Sequence, residues 1–315
     1  MDLRRLGRSE ILVPPLCFGG NVFGWTADEA TSFAILDRLV EAGFTFIDTA
    51  DSYSRWVKGH AGGESEAIIG RWLKVRGGRD KLVIATKVGS DMGQGKTLKA
   101  SYIRASVEAS LKRLQTDYID LYQSHYDDPD TPFEETLGAF AELIEAGKVR
   151  LLGASNISAK RLFEALAVST RLNLPRYETL QPEYNLYDRA EFEGELEPVC
   201  RANGLGVISY FSLAAGFLTG KYRTPADAQK SVRGRAIVDR CLNTRGLAIL
   251  GALDAVAARH GATPTQVALA WVMARPSLSS AIASASSPEQ LGDLFAAVEL
   301  KLTSTDMIQL DKASA

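Results

Sequence analysis

Asp48, Tyr53, Lys87 and His125 are the residues of this 315-residue chain whose types and spacing suit chemistry. A carboxylate, a phenol, an ammonium and an imidazole form a complementary acid–base set, able to hold and deliver a proton beside a reacting group. Singly, each has an ordinary reading: an Asp at a strand end caps a turn, a loop Tyr packs, a Lys after a strand reaches solvent, and a lone loop His is structural more often than catalytic. Their common placement carries the weight. Asp48 ends one strand-like run, Tyr53 lies five residues on, Lys87 ends the next run, and His125 follows the one after that.

The elements that must position them alternate along the chain. Strand-like apolar runs occur at 16–19, 45–48, 82–87, 118–122, 149–153, 178–181, 206–209 and 280–282. Between them, segments such as Asp28 to Ala42, Tyr102 to Leu114, Phe133 to Ala146 and Ala159 to Val168 repeat apolar residues at spacings of three and four, which predicts helices. Asp28 and Ser158 suit helix N-caps, and Gly43 and Gly147 suit the left-handed residue that ends a helix. Strand and helix repeated about eight times predict a parallel sheet closed as an α/β (β/α)8 TIM barrel, rather than an open doubly wound sheet. In such a barrel the C-terminal strand ends share one mouth, where all four residues would meet.

Two stretches interrupt the alternation, 213–239 and an amphipathic helical tail at 300–315, while 3–13 reads as a small β-hairpin around Gly7. No linker rich in Pro, Gly or Ser divides the chain, so one domain over 1–315 is expected.

Composition excludes several function classes. Lys+Arg number 36 against 38 Asp+Glu, a net charge of −2, so no positive field favours nucleic acid. Cys17, Cys200 and Cys241 are odd in number and widely spaced, which argues against a disulfide framework or a metal site and for a reducing, cytoplasmic setting. The first residues are too charged for a signal peptide, and no run of about 20 apolar residues predicts a membrane span. There is no Gly-x-Gly-x-x-Gly and no His-Glu-x-x-His, and Gly95-Lys96-Thr97 misses a phosphate loop because Ser90 stands where its first glycine belongs.

The motifs, in order along nearly the whole chain, resemble the aldo-keto reductase superfamily, in its bacterial and potassium-channel β-subunit-like branch. They are Gly43-Phe-Thr-Phe-Ile-Asp48-Thr-Ala-Asp-Ser-Tyr53, Gly63-Glu-Ser-Glu66, Thr86-Lys87, Asp117-Tyr-Ile-Asp-Leu-Tyr-Gln-Ser-His125, Gly153-Ala-Ser-Asn156, Gln181-Pro-Glu-Tyr-Asn185 and Tyr210-Phe-Ser-Leu. The resemblance implies hydride transfer between a nicotinamide and a carbonyl, with Asp48, Tyr53, Lys87 and His125 as the tetrad. Tyr53 would donate the proton, Lys87 would favour the phenolate of a group with an ordinary pKa near 10, Asp48 would pair with Lys87, and His125 would orient the carbonyl oxygen.

The same resemblance implies a site for NADP(H), with NAD(H) as the alternative. Ser155, Asn156 and Gln181 would hold the carboxamide, Tyr210 would stack on the ring, and Phe211, Ser212, Leu213, Gly216, Leu218 and Lys221 would follow the pyrophosphate. At the adenine end Ser284, Ser286 and Gln290 remain, but Ser286 replaces the arginine that clamps a 2′-phosphate in many relatives, and Leu294 stands where an Asn is common. Trp25, Trp56 and Tyr126 would line the substrate pocket together with Phe211. His60 is expected to be exposed and His260 to cap a helix end.

The implied activity is reduction of small aldehydes or ketones to alcohols, with self-association left open. An NAD-linked alcohol or sugar dehydrogenase is the alternative, and a cofactor-binding regulatory module of the channel β-subunit kind is the second.

Overall fold

A computed structural model describes all 315 residues. Two short antiparallel strands, β1 (Arg4–Arg5) and β2 (Leu12–Val13), open the chain. Eight parallel strands follow: β3 (Leu16–Gly19), β4 (Phe46–Asp48), β5 (Val83–Val88), β6 (Ile119–Ser124), β7 (Val149–Ser155), β8 (Tyr177–Gln181), β9 (Gly206–Ser209) and β10 (Leu278–Ala283). They close into a barrel as β10 pairs with both β3 and β9. The helices between them are α1 (Glu29–Glu41), α2 (Glu64–Arg76), α3 (Ala100–Leu114), α4 (Phe133–Glu145), α5 (Ala159–Leu172), α6 (Glu197–Asn203), α7 (Gly234–Cys241), α8 (Thr244–His260) and α9 (Pro264–Met273), and α10 (Leu291–Glu299) and α11 (Ser304–Ser314) follow β10. The predicted (β/α)8 barrel, hairpin and helical tail are all present.

Local chemistry accounts for the boundaries. The Asp28 and Ser158 side chains accept hydrogen bonds from the backbone N–H of Thr31 and Arg161, the expected N-caps. Gly43 and Gly147 lie just past α1 and α4 with φ of +82° and +72°. Helix α5 runs on to Leu172, beyond the predicted Val168, because the left-handed stop is supplied by Asn173. No single helix is long and apolar enough to cross a membrane.

Alternation along the strands builds the barrel interior in two layers. Cys17, Phe46, Ala85, Leu121, Ile208 and Ile282 form a small apolar cluster, closed beneath by Leu6, Ile11 and Val13 of the hairpin. The larger apolar core includes Ile47, Ile84 and Tyr122 with helix residues such as Ile69, Val107 and Phe140, which is the sheet-to-helix layer. Gly7 is required where the hairpin crosses β8, since a Cβ there would stand 2.2 Å from the Glu178 carbonyl oxygen, and its φ is +59°. Because the side-chain period is two, the next inward positions after Phe46, Ala85 and Leu121 are Asp48, Lys87 and Gln123. Polar residues therefore sit directly above the apolar layer, at the C-terminal mouth.

Candidate active site

The buried centre of the mouth is the Asp48 carboxylate. Its Oδ2 accepts from Lys87 Nζ at 2.5 Å and from the Tyr53 hydroxyl at 3.3 Å, while its Oδ1 accepts from the amides of Gln181 at 2.8 Å and Gln123 at 3.1 Å. Lys87 also donates to the Thr49 carbonyl at 2.8 Å and to the Tyr53 oxygen at 2.9 Å. The ammonium thus has three oxygen partners and the carboxylate four donors, which is what a fully enclosed ion pair needs to offset its desolvation. The predicted tetrad is assembled, with the Tyr53 and His125 rings 6.1 Å apart.

Two influences meet at the Tyr53 hydroxyl. Lys87 stands where a cation would favour the phenolate, yet burial and the adjoining Asp48 carboxylate hold the phenol well above the ordinary tyrosine range. At rest Tyr53 keeps its proton. His125 shifts the other way: burial, then the Lys87 and Lys96 charges, push it well below the ordinary histidine range, so its ring is neutral near pH 7.

The residues assigned to a nicotinamide form one connected rim. Ser155 Oγ donates to the Gln181 carbonyl at 2.8 Å, Asn156 Nδ2 donates to the His125 carbonyl at 2.8 Å, and the Tyr210 hydroxyl donates to Asn156 Oδ1 at 3.1 Å. The Gln181 amide N–H groups serve Asp48 and Gln123, which leaves its Oε1 as an acceptor without a protein donor. An unpaired amide oxygen beside the tetrad suits the N–H of a carboxamide.

The segment after β9 is bent tightly over the mouth. Phe211, Ala214 and Ala215 adopt positive φ, and Gly216 has φ +108° with Lys221 Nζ beside it. Such left-handed conformations in non-glycine residues cluster at functional sites. Two of the expected contact residues turn their side chains inward. Leu218 is fully buried in the main core, and the enclosed Ser212 hydroxyl bonds to Ser209, so only the backbone of these two residues is available to a ligand. Leu213 is half-buried against the same core.

Ser284, Ser286 and Gln290 lie together after β10. Ser284 Oγ sits 2.7 Å from the Gly19 carbonyl and 2.8 Å from Asn21 Oδ1, and the Ser286 amide donates to Gln290 Oε1 at 2.9 Å. Across the mouth stand the expected aromatics. Trp25 meets Trp56 edge-on at 5.4 Å, Trp56 lies 6.1 Å from Tyr53, and Tyr126 stacks on His125 at 5.0 Å.

Gln123, Ser52 and Arg233 were not anticipated. Gln123 was readable from its inward position two residues after Leu121. Arg233 lies half-buried over the Trp25 ring at 5.3 Å, where burial lowers its pKa and no carboxylate opposes the shift. His60 is half-buried, its Nδ1 3.2 Å from the Ser54 carbonyl. His260 does not cap α8: its Nε2 pairs with Asp306 of α11 at 2.8 Å, tying the tail to the barrel.

Comparison with known proteins agrees with this geometry. A family model described as "Aldo/keto reductase family" matches residues 15–315. The chain is 38% identical over 312 residues to the uncharacterized oxidoreductase YrpG of Bacillus subtilis, covering 96% of this chain and 92% of that one. It is 34% identical to a probable voltage-gated potassium channel subunit beta of Oryza sativa, over 95% of this chain and 92% of that one. It is 32% identical to the L-glyceraldehyde 3-phosphate reductase of Escherichia coli, over 99% and 92%. A closed parallel barrel with a buried Asp48–Lys87 pair bonded to a half-buried Tyr53, together with a family match along nearly the whole chain, identifies the chain as a member of the aldo/keto reductase family of oxidoreductases.

Proposed function

We propose that the chain reduces small aldehydes or ketones to alcohols, using NADP(H), with Tyr53 as the proton donor. The observation that carries this reading is the Tyr53 hydroxyl, held between Lys87 Nζ at 2.9 Å and Asp48 Oδ2 at 3.3 Å beside a neutral His125. A bound nicotinamide dinucleotide supplies the hydride, on the rim formed by Ser155, Asn156, Gln181 and Tyr210.

The roles of the chain's own groups follow from charge. As the substrate carbon gains hydride, its oxygen becomes negative and needs a proton. The Tyr53 O–H can turn from its long bond to Asp48 toward that oxygen, while the N–H of Lys87 already points at the phenolic oxygen and meets the charge left behind. Asp48, Gln123 and Gln181 hold Lys87 in place. His125 meets the carbonyl oxygen from the other side, and Trp25, Trp56, Tyr126 and Phe211 wall off the substrate.

At the adenine end Gly216 and Lys221 suit the pyrophosphate, and Ser284, Ser286 and Gln290 suit the ribose. Arg233 is a further cation within the mouth. Ser286 lacks the permanent charge and fork of an arginine, which favours NAD(H) as the second reading. Three free, buried cysteines fit a reducing, cytoplasmic setting.

Titrating NADPH and NADH against Trp25 and Trp56 fluorescence, then adding a panel of reactive aldehydes, tests this reading. Cofactor binding followed by oxidation with at least one aldehyde is expected. Binding with no oxidation by any carbonyl or alcohol pair would leave a cofactor-holding module instead.

A further inference from the structure

We propose that Ser52 fixes the tautomer of His125, so that Nε2 carries the N–H offered to the substrate oxygen. The inference rests on the reading of His125 as the group that meets the carbonyl. Ser52 is 8% exposed, and its hydroxyl lies 3.4 Å from His125 Nδ1, its one side-chain partner. The histidine itself is held from several sides. Its backbone N–H donates to the Val88 carbonyl at 2.7 Å, its carbonyl accepts from Asn156, and its ring is stacked on Tyr126 with an interplanar angle of 21°.

A neutral imidazole has one N–H and one lone pair, so two arrangements exist. With the proton on Nδ1, that group would donate to Ser52, the hydroxyl proton of Ser52 would lose its acceptor, and the lone pair on Nε2 would oppose the lone pairs of a carbonyl. With the proton on Nε2, the Ser52 hydroxyl donates to Nδ1 and Nε2–H is free to donate to the substrate. Only the second arrangement satisfies every group, and an unsatisfied buried hydroxyl is costly. At 3.4 Å the bond is long. Its effect is therefore the choice between two tautomers of similar energy rather than anchoring of the ring, which the backbone and Tyr126 provide. Ser52 is thus a positioning residue, acting through His125.

The test is nitrogen NMR of protein labelled at its three histidines, with His125→Gln assigning the signal. The parent should show the Nε2–H tautomer through the neutral range. Ser52→Ala should mix the tautomers, move the protonation midpoint of His125 to higher pH by removing a bond made to the neutral ring, and lower kcat/KM about five-fold through kcat with cofactor affinity unchanged. Ser52→Thr, which keeps the hydroxyl, should restore all three. An Nδ1–H tautomer in the parent, or an unaltered tautomer in Ser52→Ala, overturns the proposal. A changed tautomer with unchanged turnover supports the role of Ser52 and overturns that of His125 in the reaction, so the two failures are distinct.

Discussion

Lys87 Nζ meets Asp48 Oδ2 at 2.5 Å with both side chains wholly enclosed, and neither ion has another charge of opposite sign bonded to it. An enclosed pair of this kind gains little over an apolar replacement, but removing one member strands the other. Asp48→Asn should therefore lower stability by about 3–5 kcal/mol. Urea midpoints measure it. Replacing both residues, as in Asp48→Leu with Lys87→Met, should recover part of the loss, whereas an Asp48→Asn midpoint equal to the parent's would contradict the pairing.

Asp51 presents the opposite case. Both carboxyl oxygens are buried without a side-chain hydrogen-bond partner, and burial, reinforced by the Glu66 carboxylate, pushes its pKa up to about 7. The folded chain then binds a proton more tightly than the unfolded chain, whose Asp titrates near 4. Stability contributed here is present below about pH 4 and lost as pH rises to about 7. Asp51→Asn should gain on the parent by roughly 2–4 kcal/mol between pH 5 and pH 8. Denaturation curves at the two pH values give the answer, and a difference that does not grow with pH would show that Asp51 is not held protonated.

Ser286 sits with Gln290 in the loop after β10, at the position where the family resemblance implies an arginine in many relatives. Ser286→Arg should tighten NADPH binding about ten-fold through charge-assisted bonds to the 2′-phosphate, and leave NADH unchanged. Dissociation constants for both cofactors decide this. Equal tightening of both, or of neither, would place the 2′ position elsewhere, with Arg233 the next group to replace.

Much of this architecture was legible because each step depends on local rules. The period of two places Asp48 above Phe46 and Lys87 above Ala85, and Asp28 and Ser158 announce their helices. What escaped depends on neighbours remote in sequence. The period of two also turns Gln123 inward, but its partner Asp48 comes against it only when the barrel closes. The acidity of Tyr53 depends on its burial and on the Asp48 oxygen 3.3 Å away as well as on the Lys87 cation that its motif advertises. His260 looks like a cap because Gly261 follows it, while its partner Asp306 lies on another helix. Ser212 and Leu218 fall within a motif, and a motif does not say which way its side chains turn.

The central claim is that the Tyr53 hydroxyl is the proton source. Its most direct test is turnover of a reactive aldehyde by Tyr53→Phe, measured beside cofactor affinity in the same preparation. The phenyl ring keeps the packing against Trp56 and His125 and removes only the acid. Turnover should fall by about 10²–10⁴-fold while the dissociation constant of NADPH stays near the parent value. Turnover equal to the parent's would show that the proton comes from another group.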